Sequence, residues 1–203
     1  MHTNIHYAVG ILIASLAHFL FPMNWLVFLI IISSAIIADL DAFFFKRALD
    51  RDHRNFFTHS IYPAGIIILI GVLAEYFWKI HIIWLIGLAY SSHIILDCVD
   101  WQTRLFYGKK LYGWALLISE DEKNLGKTRK QLQMESGMDP TSFAIDRYFS
   151  DSLVLVIGIS ISLVSFLVLF VFASEFWYVF IGYFVLLEVY LYQKKKMESK
   201  YKQ

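Results

Sequence analysis

The sequence predicts an all-α, polytopic membrane protein of about six transmembrane helices, and three observations predict it. Of its 203 residues 58% are hydrophobic and only 17% charged, where soluble domains carry about 25% charged. Mean hydropathy is +0.56. Long apolar runs recur at residues 5–21, 25–40, 61–77, 80–97, 152–173 and 176–193. The basic residues avoid every second connection between those runs. Spanning strands are excluded, because an open sheet edge leaves backbone groups unsatisfied in lipid.

A hydrocarbon core about 30 Å thick requires roughly 17–25 helical residues. The N-terminus, MHTNIHYAVG, has before its apolar run none of the Lys or Arg that opens a cleavable signal peptide. The runs pair through short turns at Pro22-Met23-Asn24, Trp78-Lys79 and Ser174-Glu175. Of the 18 Lys and Arg, only Lys79 falls in one of these turns. The rest lie at 43–60 (Lys46, Arg47, Arg51, Arg54), in 98–150, or in the tail after Gln193. With six helices those segments share one face with both termini, and the positive-inside rule makes that face cytoplasmic. The chain thus reads as a single membrane domain in the cytoplasmic (inner) membrane. Residues 1–100 form a four-helix region, 101–150 a cytoplasmic insertion, and 151–203 two further helices with a basic tail. The insertion reads as a lid, with its apolar stretch 111–118 suited to the membrane interface. The single cysteine, Cys98, excludes an internal disulfide and a thiolate zinc cage.

Ionisable groups near membrane depth are costly and usually functional. His6 opens helix 1; Asp39 and Asp41 close helix 2; His53 and His59 precede helix 3, which Ser60 and Pro63 begin as a cap and a first-turn proline. His93 and Asp97 lie near the end of helix 4. Four helix ends therefore bring His and Asp to one face at similar depth. The i,i+4 spacing puts His93 and Asp97 on one helix face, able to share an ion or to let the carboxylate orient the imidazole. Asp39 and Asp41 diverge on a regular helix, so one reads as a ligand and the other as a supporting group. Imidazole with carboxylate and no thiolate suits zinc first, then manganese or iron, and the donor number admits one ion or two. His18, His81, Glu75 and Glu175 fall at the opposite face and read as interfacial.

In these residues the chain resembles the LexA-regulated, membrane-bound metal-dependent hydrolases, the YdjM-like proteins. Their pattern is an early His, a D-x-D, an H-R-G-x-T-H-S and an H-x-x-x-D. Here it stands as His6, Asp39-Leu40-Asp41, His53-Arg54-Asn55-Phe56-Phe57-Thr58-His59-Ser60, and His93-Ile94-Ile95-Leu96-Asp97. Asn55 replaces the Gly, Ala38 the Pro before D-x-D, and Cys98-Val99-Asp100-Trp101 the T-P-x-G that follows H-x-x-x-D. The resemblance implies a metal-dependent hydrolase, with a remoter similarity to the zinc phospholipase C group of phosphoesterases.

The expected ligands are His6, Asp39, His59, His93 and Asp97, with Asp41 and His53 as outer ligands or general base. Arg54, with Arg51 or Lys46, is expected to hold a phosphate, whose geometry suits the guanidinium fork. The expected partner besides the bilayer is a phospholipid or another lipid-linked phosphate. No specific nucleic acid is expected, because positive-inside topology accounts for the basic residues. A metal transporter and a structural membrane protein are the competing classes; a transporter would place its site near the midplane with a polar trail across the membrane.

Overall fold

The computed structural model describes residues 3–41, 56–106 and 110–201; Lys46, Arg51, His53 and Arg54 lie outside the described residues. The chain is all-helical. Among the described residues the sole strand-like pairing is an isolated antiparallel bridge between Thr103 and Tyr112. The principal helices are α1 (Thr3–Leu20), α2 (Trp25–Ser34), α3 (Ile61–Trp78), α4 (Ile82–Asp100), α5 (Glu120–Asn124), α6 (Arg129–Ser136), α7 (Pro140–Ser150), α8 (Ser152–Phe172) and α9 (Val179–Tyr201).

Of these, α1, α3, α4 and α8 are long and apolar enough to cross a bilayer. The α2 helix has only 10 residues, and α9 ends in a lysine-rich stretch that lowers its hydropathy. Helix ends follow local chemistry. Asn24 caps α2 by accepting the Val27 N–H, and Asp151 caps α8 by accepting that of Val154. Ser60 stands at the N-cap of α3 by backbone conformation, but its hydroxyl does not cap the helix. It donates instead to Phe57 O at 2.6 Å, closing the turn that carries His59.

The α1 helix is the hub, packing on α2, α4, α8 and α9, whereas α3 leans chiefly on α4. Two glycines permit close backbone approaches between helices. A methyl group on Gly10 would meet the Ile32 backbone, and one on Gly71 the Trp84 backbone. Ile11, Ala14, Phe28, Ile31, Leu85 and Leu169 fill one half of the bundle with apolar side chains. Leu69, Ile70, Leu73 and Phe77 of α3 and Leu163 and Leu167 of α8 face outward, as expected of helices solvated by hydrocarbon.

The 101–150 insertion is tied into the fold. Ala115, Leu117, Ile118, Leu132 and Phe143 bury against Ile5, Trp101 and Val154. Within the apolar stretch 111–118 Ala115, Leu117 and Ile118 are buried, while Gly113 and Trp114 are exposed. Gly113, at φ +133°, lets the chain graze Cys98 O, and the Trp114 N–H then bonds to that carbonyl at 2.8 Å. At the other end of the bundle His18 pairs with Glu175 at 2.8 Å and His81 with Glu75, which gives these groups structural partners.

Candidate metal centre

Four separate pieces of chain build the site. His6 lies in the second turn of α1, and His93 and Asp97 share one face of α4. Past Ser34 the chain leaves the α-helix, turns at 35–36 and tightens into a 3-10 segment over 37–41 that carries Asp39 and Asp41. A second 3-10 turn, Phe57–His59, presents His59 just before α3. His6, His59, His93 and Asp97 are all buried; Asp39 and Asp41 are the partly exposed members.

Asp97 stands at the centre. Its Oδ1 is 3.3 Å from His6 Nε2, and its Oδ2 is 3.4 Å from His59 Nε2 and 3.5 Å from His93 Nε2. Asp39 Oδ1 lies 3.5 Å from His93 Nε2. The rings of His6 and His93 stack at 3.9 Å between centroids. Two groups result whose donor atoms lie within 4.8 Å of one another: His6, Asp39 and His93, and His59, His93 and Asp97.

The tautomers follow from the far side of each ring. His93 Nδ1 is 2.9 Å from Ala35 O, which can only accept, so Nδ1 carries the proton. His59 Nδ1 is 3.0 Å from Asp41 Oδ2, a carboxylate, and carries its proton likewise. When both rings are neutral each presents a bare Nε2 lone pair, and the two Nε2 atoms face each other at 3.2 Å. Lone pairs at that distance repel, and the Asp97 carboxylate adds negative charge beside them. A cation relieves all three at once, so the donor set fits a divalent metal of the imidazole–carboxylate class. The backing of each ring by a carbonyl or carboxylate is the usual support of metal-ligating histidine.

Asp41 is turned behind His59 and receives the hydroxyl of Thr58, so it orients a ring. Asp39 faces the centre and accepts from Thr3 Oγ1 at 2.7 Å. The expected site residues His53, Arg51 and Arg54 are outside the described residues. Asp100 is buried but turns to the Trp101 N–H at 2.7 Å and joins neither donor group. Cys98 Sγ is 3.0 Å from Thr103 Oγ1. Sequence reasoning missed Ala35 and Thr3. Only Thr3 left a trace there, three residues before His6 and thus on the same helix face.

The sequence profile of the YdjM inner membrane protein family matches residues 1–122, a span that contains all five donors of the two groups and Asp41 behind them. No curated protein and no solved structure matches the chain.

Proposed function

Since the chain belongs to the YdjM inner membrane protein family, we propose that it is a membrane-bound, divalent-metal-dependent hydrolase acting on a phosphoester at the cytoplasmic face. The observation that carries this reading is the convergence of His59 Nε2, His93 Nε2 and Asp97 Oδ2 with both Nδ1 atoms already engaged. His59, His93 and Asp97 would hold one ion, and His6, Asp39 and the second Asp97 oxygen offer donors for another. Zinc suits the donor set best, with manganese or iron as alternatives. Such an ion supplies Lewis acidity toward a phosphoryl oxygen and lowers the pKa of water toward 7.

The chain's own groups do the rest. Asp41 keeps the His59 Nε2 lone pair aimed inward, and the Ala35 carbonyl does the same for His93. Arg54 and Arg51, one short segment before His59 in sequence, would clamp the phosphate, with His53 an outer ligand or proton acceptor. In this reading α2 crosses together with the 37–41 turn and α9 crosses as well, which gives six spans and both termini inside. The site then sits at headgroup depth, where a lipid-linked phosphate would meet it.

A transporter reading loses ground on one observation. Between the site and the opposite face Ile11, Ala14, Phe28, Ile31 and Leu85 pack together, and none of these side chains offers a ligand to a passing ion. The decisive experiment is metal analysis of the purified protein, followed by hydrolysis of aryl phosphoesters and phospholipids with and without chelator. Metal is expected in the wild type, and the His93→Ala, Asp39→Ala double variant is expected to lose it. Unchanged metal content in that variant would overturn the assignment.

A further inference from the structure

The site motifs legible in the sequence end at Asp97, yet the site's support does not. Thr3 donates from Oγ1 to Asp39 Oδ2 at 2.7 Å. With that proton committed, Thr3 Oγ1 is an acceptor toward Tyr190, whose hydroxyl lies 3.0 Å away. The Thr3 N–H returns a bond to the same Tyr190 oxygen at 3.1 Å. The three donors and acceptors close without conflict: Tyr190 to Thr3, Thr3 to Asp39, and the Thr3 backbone back to Tyr190.

We infer that Tyr190 of α9 is a positioning residue for the metal centre, acting through Thr3 to hold Asp39 Oδ1 toward His93. This rests on the metal-dependent reading above. The need for such a device is local. Asp39 sits on a 3-10 turn at the rim of the site, with its side chain 21% exposed, while the imidazole it faces is fully buried. One carboxylate oxygen fixed by Thr3 leaves the other a single direction. The relay also gives the helix that follows the family match a part in the site, since Tyr190 lies beyond residue 122.

A neighbouring clamp supplies the control. Tyr183, two turns earlier on α9, bonds Ser162 at 2.8 Å and Asn4 at 3.4 Å, fastening α1 to α8 and α9 without touching Asp39. The test is Zn²⁺ and Co²⁺ titration of the full-length protein in detergent, read by competition with a chromophoric chelator and by the Co²⁺ absorption band. Thr3→Val and Tyr190→Phe are expected to weaken metal binding about 10–100-fold and to shift the Co²⁺ band, the usual size of an outer-shell loss. Thr3→Ser, which keeps the hydroxyl, and Tyr183→Phe are expected to bind as the wild type does. Tyr190→Phe removes one oxygen and keeps the ring, so it carries the test if Thr3→Val does not fold. Wild-type affinity in Tyr190→Phe overturns the relay, as does an equal loss in Tyr183→Phe, which would mean general clamping of α1. A wild-type protein that binds neither ion overturns the metal reading itself and the relay with it.

Discussion

The Nδ1 of His59 lies 3.0 Å from Asp41 Oδ2, and that contact decides which nitrogen of the ring faces the centre. Without the carboxylate the ring could take either tautomer, and one of the two points a proton where a lone pair is needed. Asp41→Ala is therefore expected to keep the metal stoichiometry while weakening zinc affinity about 10–100-fold. Competition titration checks this, and an unchanged dissociation constant would remove Asp41 from the site. The residue types were legible in the sequence because an i,i+4 His–Asp pair and a D-x-D each restrict geometry locally. The Ala35 carbonyl was not, since a backbone acceptor has no sequence signature. Tyr190 was not either: its partner lies 187 positions away and only tertiary packing brings the two together.

At the scale of elements, the instructive case is the end of α2. The apolar run continues to residue 40, and nothing in it, neither Pro nor Gly, signals a stop. The α-helix nevertheless ends at Ser34, and the Asp39 N–H bonds to Ile36 O at 3.0 Å in 3-10 fashion. In a continued α-helix that N–H would take Ala35 O. Tightening the turn leaves the Ala35 carbonyl for His93 and splits Asp39 and Asp41 between two histidines. The helix boundary is thus set by the site and not by local propensity. In the middle of the insertion, from Glu120 to Pro140, the sequence reads only as polar and mixed in charge. Arg147 of α7 in fact grips Glu122 of α5 with both guanidinium nitrogens. That grip, chiefly the Arg147 hydrogen bond, holds the Glu122 carboxyl below the usual glutamate range. A depressed folded-state value stabilises the insertion at pH above the unfolded glutamate value. The contribution fades as pH falls through the folded one. The protection factors of the α5–α7 amides, which correct observed exchange for its pH-dependent intrinsic rate, are expected to fall on acidification below about pH 4.5. Glu122→Gln should show faster exchange already at neutral pH and a flatter acid response; an identical profile would sink the idea.

For the whole molecule, the arrangement separates two functions by depth. The apolar half, from Ile11 to Leu169, is a plug that needs nothing beyond packing. The polar half gathers four helix ends around Asp97, and the insertion packs beneath it through Trp101 and Leu117. Charge distribution made the division visible in the sequence, because 17 of 18 basic residues avoid the short turns. Yet two of the six proposed crossings do not stand on hydropathy alone: α2 is short, and α9 carries its lysines within the helix. Labelling with a membrane-impermeant maleimide decides them. In a Cys98→Ser background, single cysteines at Asn24, Lys79 and Glu175 are expected to react only from the outer side. Single cysteines at Gln133 and Lys200 are expected to react only in inverted vesicles. If positions 175 and 200 label from one side, α9 lies on the membrane surface and the lysines of its last turns mark an interfacial helix. Tyr190 would then reach Thr3 from the interface. If they label from opposite sides, α9 crosses, and the lysines at its end pin the C-terminus to the face that holds the proposed metal centre.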